Sequence, residues 1–407
     1  MAAKIVRQPK KIALLGVPTS AAATAPGREG APQALRAAGL VGRLQSAGYE
    51  VTDLGDDPAQ IYQPDEQSPR ARNLVRVIAM LETLKPRVEI AVKSGALPLI
   101  LSGDSSVALA TVAGARRYFR HVGMVLMDRD AGLHTPATTT TGSVDGMLVS
   151  HLAGRGAAEL VRFWPEPPLV REPDLAVFGV ERIDPGEDEA LRRSPVRQYL
   201  AADMKRNGAA AAAEAAAERI RANGHDFVLH IDADVIADFQ ATDRPGSGGL
   251  SFEEVRAAAE VFAKQKHLAA IELTGYDPTK DSDGSGAKLL IELIAGVLEK
   301  RIEALKEAAE SADPAAAAPV SVAEQKKAGG DEKPAEAPEP SAGRREERGD
   351  EQGEERGEEE APQPAVIPGE AWSSGPDEET EPLGATDAGE PDTETPETSD
   401  DADQSHS

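Results

Sequence analysis

Three short segments of the 407-residue chain set carboxylates where apolar runs end: Asp104 in PLILSGDSS, Asp128 and Asp130 in VLMDRDAGLHTP, and Asp232 and Asp234 in VLHIDADV. The last two segments each carry an Asp-x-Asp pair. In extended chain, residues i and i+2 point the same way, so each pair can present two oxygens to one point. An Asp at a strand end also caps turns and helix starts with no further role. Four such groups converging on one place would be harder to accommodate, because two unit charges about 4 Å apart repel by about 4 kcal/mol at an effective dielectric near 20. A hard cation, or protons, would have to offset them.

Side chains can converge only if a framework brings the segments together. Six short apolar runs, Ile12 to Val17, Leu99 to Ser102, Gly123 to Met127, Leu175 to Val180, Phe227 to Ile231 and Ala269 to Leu273, alternate with helix-like stretches. These are Pro32 to Gly48, Ala71 to Val92, Ser106 to Arg117, Gly208 to Ala222, Phe252 to Lys264 and Lys288 to Ala308. The alternation predicts βαβ units and a parallel sheet, with its functional groups beyond the C-terminal strand ends. Ala209 to Ala222, mostly Ala, is a strong helix former with little apolar bulk and reads as a surface helix.

Charge divides the chain in two. Residues 311–407 hold 28 acidic and 7 basic residues, which is −21 of the total of −26. Residues 309–407 also hold 12 of the 30 prolines and no Phe or Tyr, so they bury too little apolar surface to offset ordering and read as a disordered acidic tail. Residues 1–308 form the α/β domain. The absence of cysteine excludes disulfides, thiolate zinc sites and a Cys nucleophile. Nucleic acid is not an expected partner, since binding it rests on clustered Lys and Arg. The N-terminal apolar run is too short for a signal-peptide core, and no window reaches the roughly 18 apolar residues of a membrane span. A soluble cytoplasmic protein is expected.

In order along residues 10 to 302, several segments resemble the arginase family of ureohydrolases, which hydrolyse linear amidines at a dimanganese centre. GVPTS with PGREGAPQALRAAGL resembles the family's opening loop and first helix, PLILSGDSS its GGDHS segment, and MDRDAGLHTPATTTTGSVDG its DAHADxNTP segment and following loop. FGVERIDPGE is similar to the arginase DPGE turn, IDADV to the SFDxD segment, GGLSFEE to the stretch after it, and TGYDP to VEVNP. The resemblance implies a three-layer α/β/α fold with a mainly parallel sheet, and a homo-oligomer, trimer or hexamer.

It also implies where this chain departs from the family. One metal's ligand places fall on Ser105, Asp128, Gly132 and Asp232, of which Gly132 has no side chain at all. The other metal's places fall on Asp128, Asp130, Asp232 and Asp234, an all-oxygen set suited to one divalent cation, Mn²⁺, Mg²⁺ or Ca²⁺. The proton-shuttling His falls on Asp145, and the Glu that pairs with the guanidinium falls on Gly275. His134 and His151 lie nearby in sequence as substitutes. The residues that read the α-amino and α-carboxylate groups fall on His134, Thr139, Thr141, Ser143, Asp184 and Glu187. DPGE also fits a plain type II turn.

The leading expectation is therefore a non-hydrolytic binding or regulatory protein for an arginine-like amino acid or guanidino ligand. The alternatives are an amidine hydrolase working on one cation, with Asp130, Asp145 or His134 in new roles, and a structural subunit beside an active paralogue. Ser105→His, Asp130→His, Gly132→Asp, Asp145→His and Gly275→Glu together are expected to raise urea release. For the tail, deletion of residues 311–407 is expected to leave the melting temperature and oligomeric state unchanged, as calorimetry and light scattering would read them. A large loss of stability would show that the tail packs.

Overall fold

The computed structural model describes residues 5–223 and 225–311. Eight strands form one sheet: β1 (Lys11–Val17), β2 (Glu50–Asp56), β3 (Leu97–Ser102), β4 (Val122–Met127), β5 (Leu175–Val180), β6 (Arg197–Leu200), β7 (Asp226–Asp232) and β8 (Leu268–Thr274). Their order is β2-β1-β3-β8-β7-β4-β5-β6, with every neighbouring pair parallel. The helices are α1 (Ala31–Ala37), α2 (Leu40–Ser46), α3 (Leu74–Lys93), α4 (Ala108–Arg116), α5 (Leu148–Leu152), α6 (Ala158–Val161), α7 (Pro185–Arg193), α8 (Ala201–Asn207), α9 (Ala209–Asn223), α10 (Phe252–Ala263) and α11 (Ser285–Ser311). This is the three-layer α/β/α arrangement, and the sheet is parallel throughout.

Burial on both faces explains why the apolar runs are continuous and do not alternate. β3, β4, β5 and β8 are buried along their whole length. One apolar layer joins Leu99, Phe178 and Ile271 to Leu35 of α1, Leu44 of α2, Phe262 of α10 and Leu293 and Leu298 of α11. The opposite layer joins Leu15, Ile100 and Leu126 to Leu81 and Leu84 of α3, Val112 of α4 and Leu152 of α5.

All six apolar runs are strands. The two strands without such a run are the sheet edges: β2, almost wholly exposed, and the short β6. The stretch from Pro32 to Gly48 is two helices, because Gly39 takes a left-handed φ of 100° between them. The alanine-rich stretch forms α9, but it is not simply a surface helix. Ala213, Ala216 and Ala217 are buried in the core, where their small side chains let the helix approach closely. DPGE is not a type II turn. Asp184 caps α7, Pro185 opens it, and Glu187 accepts from the Asp184 N–H in a capping box.

α11 runs to Ser311, slightly past the expected boundary at 308. The tail expected over 309–407 lies outside the described residues from 312 onward. No helix among the described residues is long and apolar enough to cross a membrane.

His151 of α5 is 1% exposed, and among the described residues neither ring nitrogen has a hydrogen-bond partner. Burial lowers its pKa to about 4. A His whose folded pKa lies below its unfolded value loses stability as pH falls, because only the unfolded chain takes up the proton readily. Between pH 6.5 and 4 this group alone should remove on the order of 3 kcal/mol. His151→Leu is expected to flatten the fall of melting temperature across that window relative to the wild type. Identical pH profiles for the two proteins would refute this.

Candidate active site

Strand register brings the acidic segments together. Met127 pairs with Ile231, so Asp128 and Asp232 leave β4 and β7 side by side. Asp232 is opposite Thr274 at the end of β8. An isolated parallel bridge past the ends of β4 and β5 sets Asp130 against Arg182. Each first Asp also stabilises its own turn: Asp128 Oδ1 accepts from the Asp130 N–H at 2.8 Å, and Asp232 Oδ1 from the Asp234 N–H at 3.0 Å. Asp104 belongs to the framework, with its oxygens filled by Thr19, the Ala22 N–H and Ser106.

Among the described residues, Asp128, Asp130 and Asp234 each offer one ligand atom within 4.8 Å of the others, and so do His134, Asp184 and Glu187. Asp232, expected in the first group, is turned to hydroxyls. Ser105 Oγ donates to its Oδ2 at 3.0 Å and Thr274 Oγ1 at 3.1 Å. Thr274 Oγ1 also lies 3.1 Å from His230 Nε2, and His230 Nδ1 lies 2.7 Å from Glu272 Oε2. Burial disfavours a charge on His230, but Glu272 outweighs it and holds the imidazole above its usual range. The single Thr274 hydroxyl proton goes to Asp232 Oδ2, so in its contact with His230 Nε2 the hydroxyl is the acceptor.

The groups that sequence reasoning missed are arginines. Arg182 Nε reaches Asp130 Oδ1 at 2.8 Å and its Nη2 reaches Oδ2 at 3.3 Å, with a further Nη2 contact to Asp234. Arg244 also contacts Asp130. Arg28, 7% exposed, bridges Asp145 at 3.1 Å and Asp243 at 2.6 Å. Burial opposes the charge on Arg28, yet Asp145, Asp243 and Asp232 together hold it firmly protonated. The only signal pointing to these residues was the need for positive charge near so many carboxylates.

The arginines offset only part of the negative charge. Burial, with Asp234 and Asp232 close by, raises Asp128 well above the carboxylate range. Burial and Asp232 raise Asp234 to about 6 against the pull of Arg182. Burial raises Asp145 to about 7 while Arg28 pulls it down.

These groups line two neighbouring cavities of one cleft that share Arg28, Asp130, Asp145 and Arg244 in their walls. The outer cavity, about 140 Å³, is lined by Arg28, Asp130, His134, Thr141, Ser143, Asp145, Arg182, Asp184, Glu187 and Arg244. The deeper one, about 20 Å³, lies among Asp128, Asp130, Asp145, Asp232, Asp234 and Arg244 and has room for about one water. His134 Nε2 is 3.0 Å from Asp184 and 3.7 Å from Glu187. Of the expected hydroxyls, Thr141 and Ser143 line the cleft, but Ser143 Oγ is spent on the Ala22 carbonyl at 2.7 Å. Thr139 does not line it and instead accepts from the Gly142 N–H at 2.9 Å, while Thr140 takes a place in the wall. His151 lies in the core, not in the cleft.

The donor set does not fit two metal ions. Gly132 has no side chain, Ser105 Oγ is committed to Asp232 and Thr274, and Asp145 is held between the Ser105 N–H at 2.6 Å and Arg28. The backbone has also adapted to these residues. Gly275 has φ +77°, and a Cβ there would lie 2.0 Å from Asp232 Oδ1. Gly132 has φ +65°, with Val149 3.1 Å from a would-be Cβ.

An open parallel sheet with carboxylates gathered past its strand ends, beside a DPGE-capped helix, is the architecture of the ureohydrolase class. The comparisons specify it further. Residues 10–298 match the model of the Arginase family, and the chain belongs to that family. It is 27% identical over 297 residues to the arginase of Bacillus caldovelox, covering 72% of this chain and 99% of that one. The crystal structure of arginase from Bacillus cereus superposes with a TM-score of 0.64 at 27% identity, covering 71% of this chain and 98% of that one. Entamoeba histolytica arginase in complex with L-ornithine shares the fold, with a TM-score of 0.65 at 23% identity over 71% of this chain and 98% of its own.

The expectation that restoring family residues would raise urea release meets an obstacle at Gly275. A left-handed backbone costs a non-glycine residue about 1–2 kcal/mol before any clash is counted. Gly275→Glu is expected to lower stability by at least about 2 kcal/mol, measurable by denaturant unfolding. A neutral substitution there would show that the strand end relaxes freely.

Proposed function

We infer that this arginase-family chain binds an amino acid without hydrolysing it, in a regulatory role. The observation that carries this reading is Asp145. At the place of the family's proton shuttle both of its oxygens are engaged, one accepting from the Ser105 N–H and the other paired with Arg28, where the shuttle would need a group that can swing to the leaving group. Gly275, at the place of the guanidinium partner, has nothing to pair with.

The recognition end is better supported. Asp184 and Glu187 face the cleft as acceptors for an α-ammonium group, with His134 held against Asp184, and the Thr141 hydroxyl supplies a donor for an α-carboxylate. Ornithine, named with the Entamoeba enzyme, represents the ligand class, and an arginine-like side chain is the natural first probe. We place the protein in the cytoplasm as a homo-oligomer.

One observation favours a second reading, a hydrolase using a single divalent cation. Asp234 Oδ1 is buried without a hydrogen bond among the described residues and belongs to the group formed with Asp128 and Asp130. Those three carboxylates would hold Mn²⁺, Mg²⁺ or Ca²⁺, which would supply Lewis acidity, and Arg182 and Arg244 would have to leave Asp130.

Urea release from arginine and agmatine with added Mn²⁺ is expected to stay near background. Ornithine or arginine is expected to bind in calorimetry, and Asp184→Asn with Glu187→Gln should weaken that binding at least about tenfold. Robust turnover would overturn the non-hydrolytic reading in favour of the one-cation hydrolase.

A further inference from the structure

We propose that the guanidinium groups of Arg182 and Arg244, with Arg28 on the Asp145 side, are the permanent counter-ions of this carboxylate cluster, so that the chain folds and keeps its cleft without a divalent cation. The proposal goes beyond the choice of ligand, since it concerns what neutralises the site before any ligand arrives. Two of the places that the family resemblance gives to His hold Asp here, and each of these is matched to arginine: Asp130 to Arg182 and Arg244, Asp145 to Arg28. The remaining acids are engaged as well, apart from Asp234 Oδ1. Asp234 takes a bond from Arg182, and Asp232 is filled by Ser105, Thr274 and the Asp234 N–H. Asp128 accepts from the Asp130 N–H and lies in the favourable field of Arg244.

Backbone structure places these arginines. Arg182 lies two residues past the end of β5, its N–H donates to the Arg129 carbonyl at 2.9 Å, and it is bridged to Asp130. The loop carrying Arg244 is tied down at its carbonyl, which accepts from Arg129 Nη1 and Arg182 Nη1, both at 3.4 Å. A guanidinium suits the task because it stays charged and its donors fan out in one plane, so a single group can serve Asp130 and Asp234 together. A hydrated cation does not fit in the deep pocket among the acids. The deep cavity of about 20 Å³ has room for about one water, whereas Mg²⁺ usually keeps several.

The test uses the full chain, dialysed against EDTA and then against Mn²⁺, Mg²⁺ or Ca²⁺ at about 1 mM. The expected result is well under one ion per chain by elemental analysis, and melting temperatures within about 1 °C of the EDTA sample. A site of micromolar affinity would instead raise the melting temperature by roughly 10 °C at that concentration. The second readout is a double-mutant cycle. Arg182→Gln alone is expected to lower the melting temperature by roughly 5–10 °C, because it strands Asp130 and Asp234. Adding Asp130→Asn to it should recover about half of that loss. Stoichiometric cation binding by the wild type with a matching rise in melting temperature would overturn the proposal. So would additive effects of the two substitutions.

Discussion

Concentrated negative charge is the constraint on which this site depends. Register alone places Asp128, Asp130, Asp232 and Asp234 at the ends of two adjacent strands, with Asp232 and Asp234 buried where water cannot screen them well. Something positive must enter, or protons must be retained. The structure does both: three guanidiniums reach in from separate loops, and Asp128, Asp145 and Asp234 are pushed toward neutrality. The buried line from Glu272 through His230 and Thr274 fixes Asp232 from beneath, so even the acid without an arginine has a defined orientation.

Much of the framework was legible in the sequence because both faces of a covered parallel sheet demand apolar residues. Ile12 to Val17 and Ala269 to Leu273 could hardly be anything else. β2 and β6 were invisible for the complementary reason: edge strands such as EVTDLGD need no apolar run, and their pairing is decided by a neighbour distant in sequence. The capping box at the start of α7 was readable in principle from Asp184, Pro185 and Glu187, but the same four letters also spell a turn.

At the site, the acids were found by their position after strands, and the arginines were not. A carboxylate that closes a strand carries a local pattern. Arg28, Arg182 and Arg244 have none, since each reaches its partner in the cluster across 52 to 117 residues of chain. The glycines mislead differently. Gly132 and Gly275 read as simple losses of functional side chains, yet both adopt left-handed backbone that a side chain would now strain, so the main chain has settled around their absence.

The doubled role of Asp184 and Glu187 has a thermodynamic consequence. Both face the cleft, and both also close the first turn of α7, Asp184 as its cap and Glu187 by accepting from the Asp184 and Leu133 N–H groups. A cationic group entering the cleft competes with those N–H donors for the same lone pairs. Occupancy of the cleft and fraying of the helix start are therefore linked quantities: whatever free energy the ligand takes from the cap must reappear as a change in the opening equilibrium of α7, which carries the news of binding away from the sheet.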